Sequence, residues 1–215
     1  MKIAAIIPAY NEEKTIGAVL SALKETSLIN QILVVSDGSE DQTVNTVKLY
    51  EGVQVIELFE NRGKGGAIKA GLDCCQAEVI LILDADLVGL TKGHIEALLK
   101  PVIEGETLMA IGKFDKGRVA TDMAHKVAPF LSGQRALKRE LLENISDLDL
   151  SRFGIEIALH QYVEENDIVT VVVQLSDLSH VTKEEKLGFW RGMLARIKMY
   201  GEIVNYIIRG EAKRK

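Results

Sequence analysis

The sequence predicts an α/β fold in which a mainly parallel central sheet is flanked by helices. Short apolar runs recur along the chain, and in the first half each is followed by a stretch with helical spacing. These runs lack the alternation of polar and apolar residues that is typical of a sheet with one face in water, so we expect strands that are buried on both faces. Strands that alternate with helices indicate right-handed βαβ units, and therefore parallel strands.

The elements follow in chain order. Strands are predicted over Ile3–Ile7, Ile32–Val35, Val53–Leu58, Val79–Leu83, Leu108–Ile111 and Ile168–Leu175. Helices are predicted over 12–24, 42–50, 65–75 and 93–103, and then over 120–129, 134–143 and 154–164. In the first helix Ile16, Leu20 and Leu23 share one apolar face. Pro101 should interrupt the fourth helix because proline supplies no amide donor.

The composition is that of one globular domain. With 215 residues, 47% of them hydrophobic, the chain can bury a core that needs no disulfide and no structural metal. A net charge of −5 has the wrong sign for a protein that binds nucleic acid phosphates, so no nucleic acid partner is expected. Cys74 and Cys75 are adjacent, which favours free thiols in a reducing cytoplasm.

The C-terminal segment differs in charge from the rest of the chain. Residues 183–215 carry a net charge of +5, whereas residues 1–182 carry −10. Apolar residues recur every three or four positions from Leu187 to Ile208, which predicts a long amphipathic helix. We therefore predict a domain over 1–182, followed by a helix and basic tail over 183–215. The broad apolar face would pack on the domain, form a homodimer, or make a peripheral contact with the inner face of a membrane.

No segment of the sequence predicts a membrane span. The apolar start of the chain ends at Pro8, which is too early for a signal peptide. No run approaches the about 20 apolar residues that cross a bilayer. We expect a soluble cytoplasmic protein that at most rests on a membrane surface.

Polar motifs follow four of the predicted elements, where functional residues of an open parallel sheet gather. They are Pro8-Ala9-Tyr10-Asn11-Glu12-Glu13, Ser36-Asp37-Gly38-Ser39, Asn61-Arg62-Gly63-Lys64-Gly65-Gly66-Ala67 and Asp84-Ala85-Asp86. Asp84 and Asp86 point to the same side of an extended chain, where two carboxylates are costly unless a cation or a donor lies between them. Mg²⁺ or Mn²⁺ prefers such oxygen ligands and commonly accompanies a diphosphate. A helix cap with a surface salt bridge is the alternative interpretation.

The glycine-rich motif opens a helix, so its free amide groups and Lys64 could bind an anion. It matches neither the P-loop pattern nor the dinucleotide-binding pattern, which argues against an NTPase and against a dinucleotide-dependent oxidoreductase. Each motif alone is a weak signal. Together they indicate a pocket for a nucleoside diphosphate.

In this order and spacing, the four motifs resemble those of the family 2 nucleotide-sugar glycosyltransferases, which have the Rossmann-like GT-A fold. The resemblance covers residues 3–160. The later segments 132–140 and 153–157 resemble the subgroup that holds dolichol-phosphate mannose synthases and glucosyl-3-phosphoglycerate synthases. The resemblance implies a hexosyltransferase that moves a sugar from a UDP- or GDP-linked donor to a phosphoglycerate-like or polyprenyl phosphate acceptor, with help from Mn²⁺ or Mg²⁺.

The resemblance also implies roles for individual residues. Nucleotide contacts are implied for Pro8, Ala9, Tyr10, Glu12, Asp37, Gly63, Lys64, Asp84 and Ala85. Glu12 would contact the ribose, Asp37 the base and Lys64 the phosphates. Metal binding is implied for Asp86 and His180, and acceptor binding for Arg118, Thr121, Gly133, Gln134 and Arg135.

The catalytic set that the resemblance implies is Lys64, Asp86 and Glu156. Lys64 and the metal on Asp86 would stabilise the departing diphosphate. Glu156 would act as a base in an inverting enzyme, or hold the sugar in a retaining one. A sugar-nucleotide pyrophosphorylase is an alternative, although it should open with a glycine-rich loop. A nucleotide-sugar-binding protein without turnover is another, against which the intact Lys64, Asp84 and Asp86 argue.

Overall fold

The computed structural model describes residues 1–114, 132–145 and 155–180, and for His180 the backbone alone. One compact unit runs from Met1 to Ser179, and a second comprises residues 180–215. The predicted boundary between residues 182 and 183 lies outside the described residues. So do the predicted C-terminal amphipathic helix and the helix over 120–129.

A seven-stranded sheet forms the centre of the part of the chain that the structure describes. Its strands are β1 (Ile3–Ala9), β2 (Gln31–Asp37), β3 (Val53–Leu58), β4 (Val79–Ile82), β6 (Met109–Phe114), β7 (Arg135–Lys138) and β8 (Thr170–Leu175), in the order β3-β2-β1-β4-β7-β6-β8. The two-residue strands β5 (Leu87–Val88) and β9 (Ser179–His180) form a separate sheet. Only β7 runs antiparallel to its neighbours in the large sheet. The predicted mainly parallel sheet is therefore confirmed.

Helices cover both faces of this sheet. They are α1 (Ile16–Lys24), α2 (Thr43–Lys48), α3 (Gly63–Asp73), α4 (Lys92–Ile103), α5 (Arg139–Glu143) and α6 (Ile155–Glu165). Helices α1 and α4 belong to one hydrophobic core and helices α3, α5 and α6 to the other. Because successive strand residues point to opposite faces, Ile7 of β1 joins the first core and Ile6 the second. This two-sided burial explains the unbroken apolar runs of the central strands.

The two edge strands depart from the prediction of strands buried on both faces. Gln54 and Glu57 of β3 are exposed, and Val172 of β8 is 46% exposed. Among the described residues, each of these strands has a neighbouring strand on one side alone, since the two stand at the ends of the sheet order. The prediction of burial on both faces is therefore wrong for β3 and β8, whose outer positions are exposed to solvent.

Two predicted helices also need correction. The first half of the helix predicted over 134–143 is the strand β7, which inserts between β4 and β6. A four-residue strand rich in good helix formers gives no periodic signal of its own. The predicted interruption at Pro101 is also wrong, because α4 runs through it to Ile103. So close to the end of a helix, the missing amide removes little of the hydrogen-bond ladder.

Candidate active site at the carboxyl edge of the sheet

The predicted motifs meet at one edge of the sheet. Strands β1, β2 and β4 are adjacent and parallel, so the residues that follow them share an edge. Helix α3, which carries the glycine-rich motif, begins at Gly63 and packs on β1 and β2. The α/β topology thus gathers residues that are far apart in sequence, as the strand-end pattern predicts.

Lys64 lies between two carboxylates at this edge. Its Nζ donates to Asp84 Oδ1 at 2.5 Å and lies 2.7 Å from Glu156 Oε1. The three residues come from separate places: the first turn of α3, the segment that follows β4 and the first turn of α6. The side chain of Lys64 is 22% exposed and that of Glu156 is 12% exposed. The structure therefore holds a shielded ion-pair triad whose cation still reaches the surface.

The electrostatics of this triad keep Lys64 charged. Burial by itself would lower the pKa of Lys64. The negative charges of Asp84 and Glu156, together with the hydrogen bonds to them, outweigh that effect and raise the pKa of Lys64 above its usual value. Lys64 is therefore an ammonium group at neutral pH, a charge that suits an anionic ligand or leaving group.

Gln134 makes reciprocal hydrogen bonds with Asp84. Its Nε2 donates to Asp84 Oδ2 at 2.8 Å, and its Oε1 accepts from the Asp84 amide at 3.0 Å. Gln134 is completely buried. Gly133 lies beside it, and a Cβ there would overlap the Asp84 carboxylate and Lys64 Nζ. The structure thus brings these two predicted acceptor residues against the Lys64–Asp84 ion pair.

Arg135 is a second cation close to the triad, but it is 1% exposed. Its Nε donates to the Ser132 carbonyl at 3.1 Å. Burial lowers the pKa of Arg135 to about 10, while the charges of Glu156 and Asp84 favour its protonated form. Arg135 is therefore charged at neutral pH, so that two cations, Lys64 and Arg135, face the two carboxylates of Asp84 and Glu156. In this structure Arg135 has almost no surface on which an acceptor could bind. The predicted acceptor residues Arg118 and Thr121 lie outside the described residues.

Asp37 fixes the start of α3. Its Oδ1 accepts from the Arg62 amide at 2.7 Å and its Oδ2 from the Gly63 amide at 2.9 Å. A carboxylate at this position satisfies amide groups that the first turn of a helix leaves unpaired. The neighbouring Gly38 has φ +70°, and a Cβ there would press on the Asn61 amide. Asp37, predicted to contact the base, thus also orients the helix that carries Lys64.

The segment after β1 is joined to the segment after β2. The Glu12 amide donates to Thr43 Oγ1 at 2.8 Å, and the Glu40 amide donates to Asn11 Oδ1 at 2.9 Å. Pro8 and Ala9 lie within or next to the core, whereas Tyr10 is 47% exposed. These hydrogen bonds support the segment 8–12, which contains predicted nucleotide residues and is called the braced rim. Thr43, which accepts one of these hydrogen bonds, is a residue that our site prediction omitted.

Asp86 and the buried Ala85 follow β4, with Asp86 partly exposed. Both oxygens of Asp84 accept hydrogen bonds, one from Lys64 and the other from Gln134. His180 ends β9, the strand that pairs with β5 just after Asp86, and its side chain lies outside the description. Within the described ranges, no three metal-binding side chains form a cluster. A carboxylate with an added imidazole or phosphate oxygen fits Mg²⁺ or Mn²⁺.

Comparison with known proteins identifies the family. The family model of Glycosyl transferase family 2 matches residues 4–161. The chain belongs to glycosyl transferase family 2. The resemblance that the strand-end motifs predicted is thereby confirmed.

Relatives of this family member include two dolichyl-phosphate beta-glucosyltransferases. The protein from Drosophila melanogaster is 38% identical over 107 residues, which cover 43% of this chain and 32% of the relative. That from Dictyostelium discoideum is 30% identical over 156 residues, covering 65% of this chain and 45% of the relative. The matched regions thus span less than half the length of these relatives.

A solved structure shares the fold. Glucosyl-3-phosphoglycerate synthase from Mycobacterium tuberculosis, crystallised with Mn²⁺, UDP-glucose and phosphoglyceric acid, superposes with a TM-score of 0.71 at 24% identity. The match covers 84% of this chain and 71% of that one. The GT-A fold predicted from the sequence is therefore confirmed.

Proposed function

We propose that this family member transfers a sugar from a nucleoside-diphosphate sugar to an acceptor with the aid of a divalent metal. The observation that carries the proposal is the placement of Lys64 between Asp84 and Glu156 at the carboxyl edge of the sheet. A charged, shielded ammonium group suits the developing charge of a leaving diphosphate. The fold that this chain shares with a synthase crystallised with Mn²⁺ and UDP-glucose supports the same assignment.

Asp86, together with His180, would hold the Mn²⁺ or Mg²⁺. When bound, this ion would offset the charge that builds up on the diphosphate as the anomeric bond breaks. Lys64 would supply a second positive charge to the same oxygens. The braced rim formed by Pro8, Ala9 and Glu12 would hold the nucleoside, and Asp37 would accept a hydrogen bond from the base.

Glu156 would act on the sugar or on the acceptor. It is nearly buried, at the start of α6, and it is paired with Lys64. Donor binding that draws Lys64 towards the diphosphate would leave Glu156 as an anion beside the anomeric carbon. There it would accept the proton of an attacking hydroxyl group. A phosphate acceptor is already anionic and would need no base.

The acceptor that we propose carries a phosphate group. The similar proteins support this proposal, since the dolichyl phosphate of one and the phosphoglyceric acid bound to the other both carry a phosphate group. A polyprenyl phosphate would agree with the basic segment at 183–215. No helix in the part of the chain that the structure describes is long and apolar enough to cross a bilayer. The apolar face predicted within the same segment would make a peripheral contact with the membrane, or form a homodimer instead.

A donor panel tests the proposed activity. UDP-glucose, UDP-galactose, GDP-mannose and GDP-glucose are incubated with the full chain and Mn²⁺, with 3-phosphoglycerate or a short polyprenyl phosphate as acceptor, and released diphosphate is measured. We expect release from at least one donor, an increase with one acceptor, and loss on chelation. Asp86→Ala should reduce release by about 100-fold or more while the far-ultraviolet circular dichroism spectrum is unchanged.

The control is Asp73→Ala, which removes an exposed carboxylate of α3 that pairs with Lys69. It should keep wild-type activity. Tight donor binding without diphosphate release for any donor and acceptor would instead favour a binding protein without turnover. Wild-type activity of Asp86→Ala would contradict the assigned metal ligand.

A further inference from the structure

The side chain of Gln134 is hydrogen-bonded to Asp84, whereas a residue that binds the acceptor would need a polar atom directed at that ligand. Both polar atoms of its side chain are used by one partner, Asp84, through its carboxylate and its backbone amide. Gln134 has no exposed surface. A buried amide with both ends satisfied by one neighbour fixes the orientation of that neighbour.

The orientation matters because Asp84 is also bonded to Lys64. Its Oδ2 accepts from Gln134, which directs Oδ1 towards Lys64 Nζ at 2.5 Å. A rotation of the carboxylate would break both contacts. The hydrogen bond from the backbone amide of Asp84 also ties this residue to the side chain of Gln134, which lies 50 residues further along the chain. The pair thus couples the end of β4 to the segment before β7.

Gly133 supports this arrangement. A Cβ at this position would overlap the Asp84 carboxylate and Lys64 Nζ, so the backbone of Gly133 lies directly against the ion pair. Gly133 and Gln134 therefore pack directly against the Lys64–Asp84 ion pair. The side-chain amide of Gln134 is neutral, whereas a charged side chain at this position would repel either Lys64 or Asp84.

We propose that Gln134 is a positioning residue of the transfer reaction, one that acts through Asp84 and does not touch the acceptor. This inference rests on the proposed function. It replaces, for Gln134, the acceptor contact that the family resemblance implied. Gln134 holds the Asp84 carboxylate in the orientation in which it meets Lys64 and the donor.

The kinetic test measures release of diphosphate from UDP-glucose or GDP-mannose with Mn²⁺ and no acceptor present. Gln134→Met keeps the size of the side chain but removes both hydrogen bonds. We expect kcat/KM for the donor to fall about 10- to 100-fold, the range in which residues that orient a functional ligand act. Gln134→Asn should lower kcat/KM similarly, because its amide is one methylene shorter and cannot reach both the carboxylate and the backbone amide of Asp84. It also decides the question if the Met variant fails to fold.

The matched control is Gln54→Met in β3, which removes an exposed hydrogen bond donated by Gln31, the first residue of β2. It should keep the wild-type kcat/KM. Unchanged acceptor-free release in both Gln134 variants, with a higher KM for the acceptor alone, would overturn the proposal and restore Gln134 to the acceptor site.

A spectroscopic measurement keeps the test independent of turnover. The side-chain amide protons of Gln134, observed by ¹⁵N-correlated NMR, should exchange slowly with solvent and shift on Asp84→Ala. Fast exchange, or no shift in that variant, would overturn the Gln134–Asp84 pair. If the wild-type chain releases diphosphate from no donor, the proposed function fails, and these resonances still decide whether Gln134 orients Asp84.

Discussion

At the scale of single residues, the site depends on balanced charge in a shielded place. Lys64 and Arg135 supply two cations, and Asp84 and Glu156 supply two anions. Desolvating a charge is costly, and the cost is offset when an opposite charge is in contact. Removal of one member should therefore affect stability as well as activity.

Lys64→Met tests this balance. It would leave Asp84 and Glu156 close together without their shared cation, so we expect the free energy of unfolding to fall by about 2 to 4 kcal/mol at pH 7. Adding Glu156→Gln should recover part of that loss, because it removes one of the two like charges. Urea denaturation at pH 7, followed by circular dichroism, measures both. If the double variant is less stable than Lys64→Met, the charge-balance account is wrong.

At the scale of elements, the position of Lys64 depends on how closely α3 approaches the sheet. Gly71, in the next turns of α3, faces Ile6 of β1 and Val35 of β2, and a Cβ there would lie 2.7 Å from Ile6 Cγ2. Asp37 fixes the start of the same helix. The close packing at Gly71 and the contacts of Asp37 together set where Lys64 emerges.

Gly71→Ala should therefore destabilise the protein, by about 1 to 3 kcal/mol, because an added methyl group overpacks this contact. Gly93→Ala is the matched control, also a glycine in a helix, where the new Cβ would make one ordinary contact of 3.7 Å with Thr91 Oγ1. That change should leave stability unchanged or raise it by up to about 1 kcal/mol. Equal effects of the two substitutions on the denaturation midpoint would contradict the packing argument.

The same elements show what sequence reasoning could and could not predict. Buried strands such as β1 and β4 were predicted because two-sided burial leaves an unbroken apolar run. Strand β7 was missed because its antiparallel position depends on β4 and β6, which are distant in the chain. Local residue pattern holds no record of such pairing.

The site divides in the same way. Asp37, Lys64 and Asp84 follow strands or open a helix, so fold logic alone brings them to one edge. The contact between Gln134 and Asp84 spans 50 residues and joins two segments whose relative register the sequence does not state. For this reason Gln134 was first assigned by resemblance to the acceptor.

At the scale of the whole molecule, charge separates the acidic domain sequence from its basic C-terminal segment. A net +5 over residues 183–215 should attract an anionic surface, and the attraction should weaken with salt. This prediction concerns the full chain and follows from its sequence.

Vesicle sedimentation tests it. The full chain should bind vesicles that contain phosphatidylglycerol more strongly than neutral phosphatidylcholine vesicles. Replacement of Lys213, Arg214 and Lys215 by glutamine should weaken that binding several-fold. Analytical ultracentrifugation of the same samples reports the oligomeric state. A monomer that binds neither type of vesicle would exclude both the membrane contact and the dimer.

The central claim is that the carboxyl edge of the sheet binds a metal–diphosphate beside Lys64. The most direct test is a crystal structure of the full chain with Mn²⁺ and whichever of UDP and GDP it binds more tightly, with anomalous data collected for manganese. We predict an anomalous peak at Asp86, with diphosphate density between that peak and Lys64. Clear nucleotide density elsewhere on the molecule, with Lys64 still closed on Asp84 and Glu156, would contradict the account.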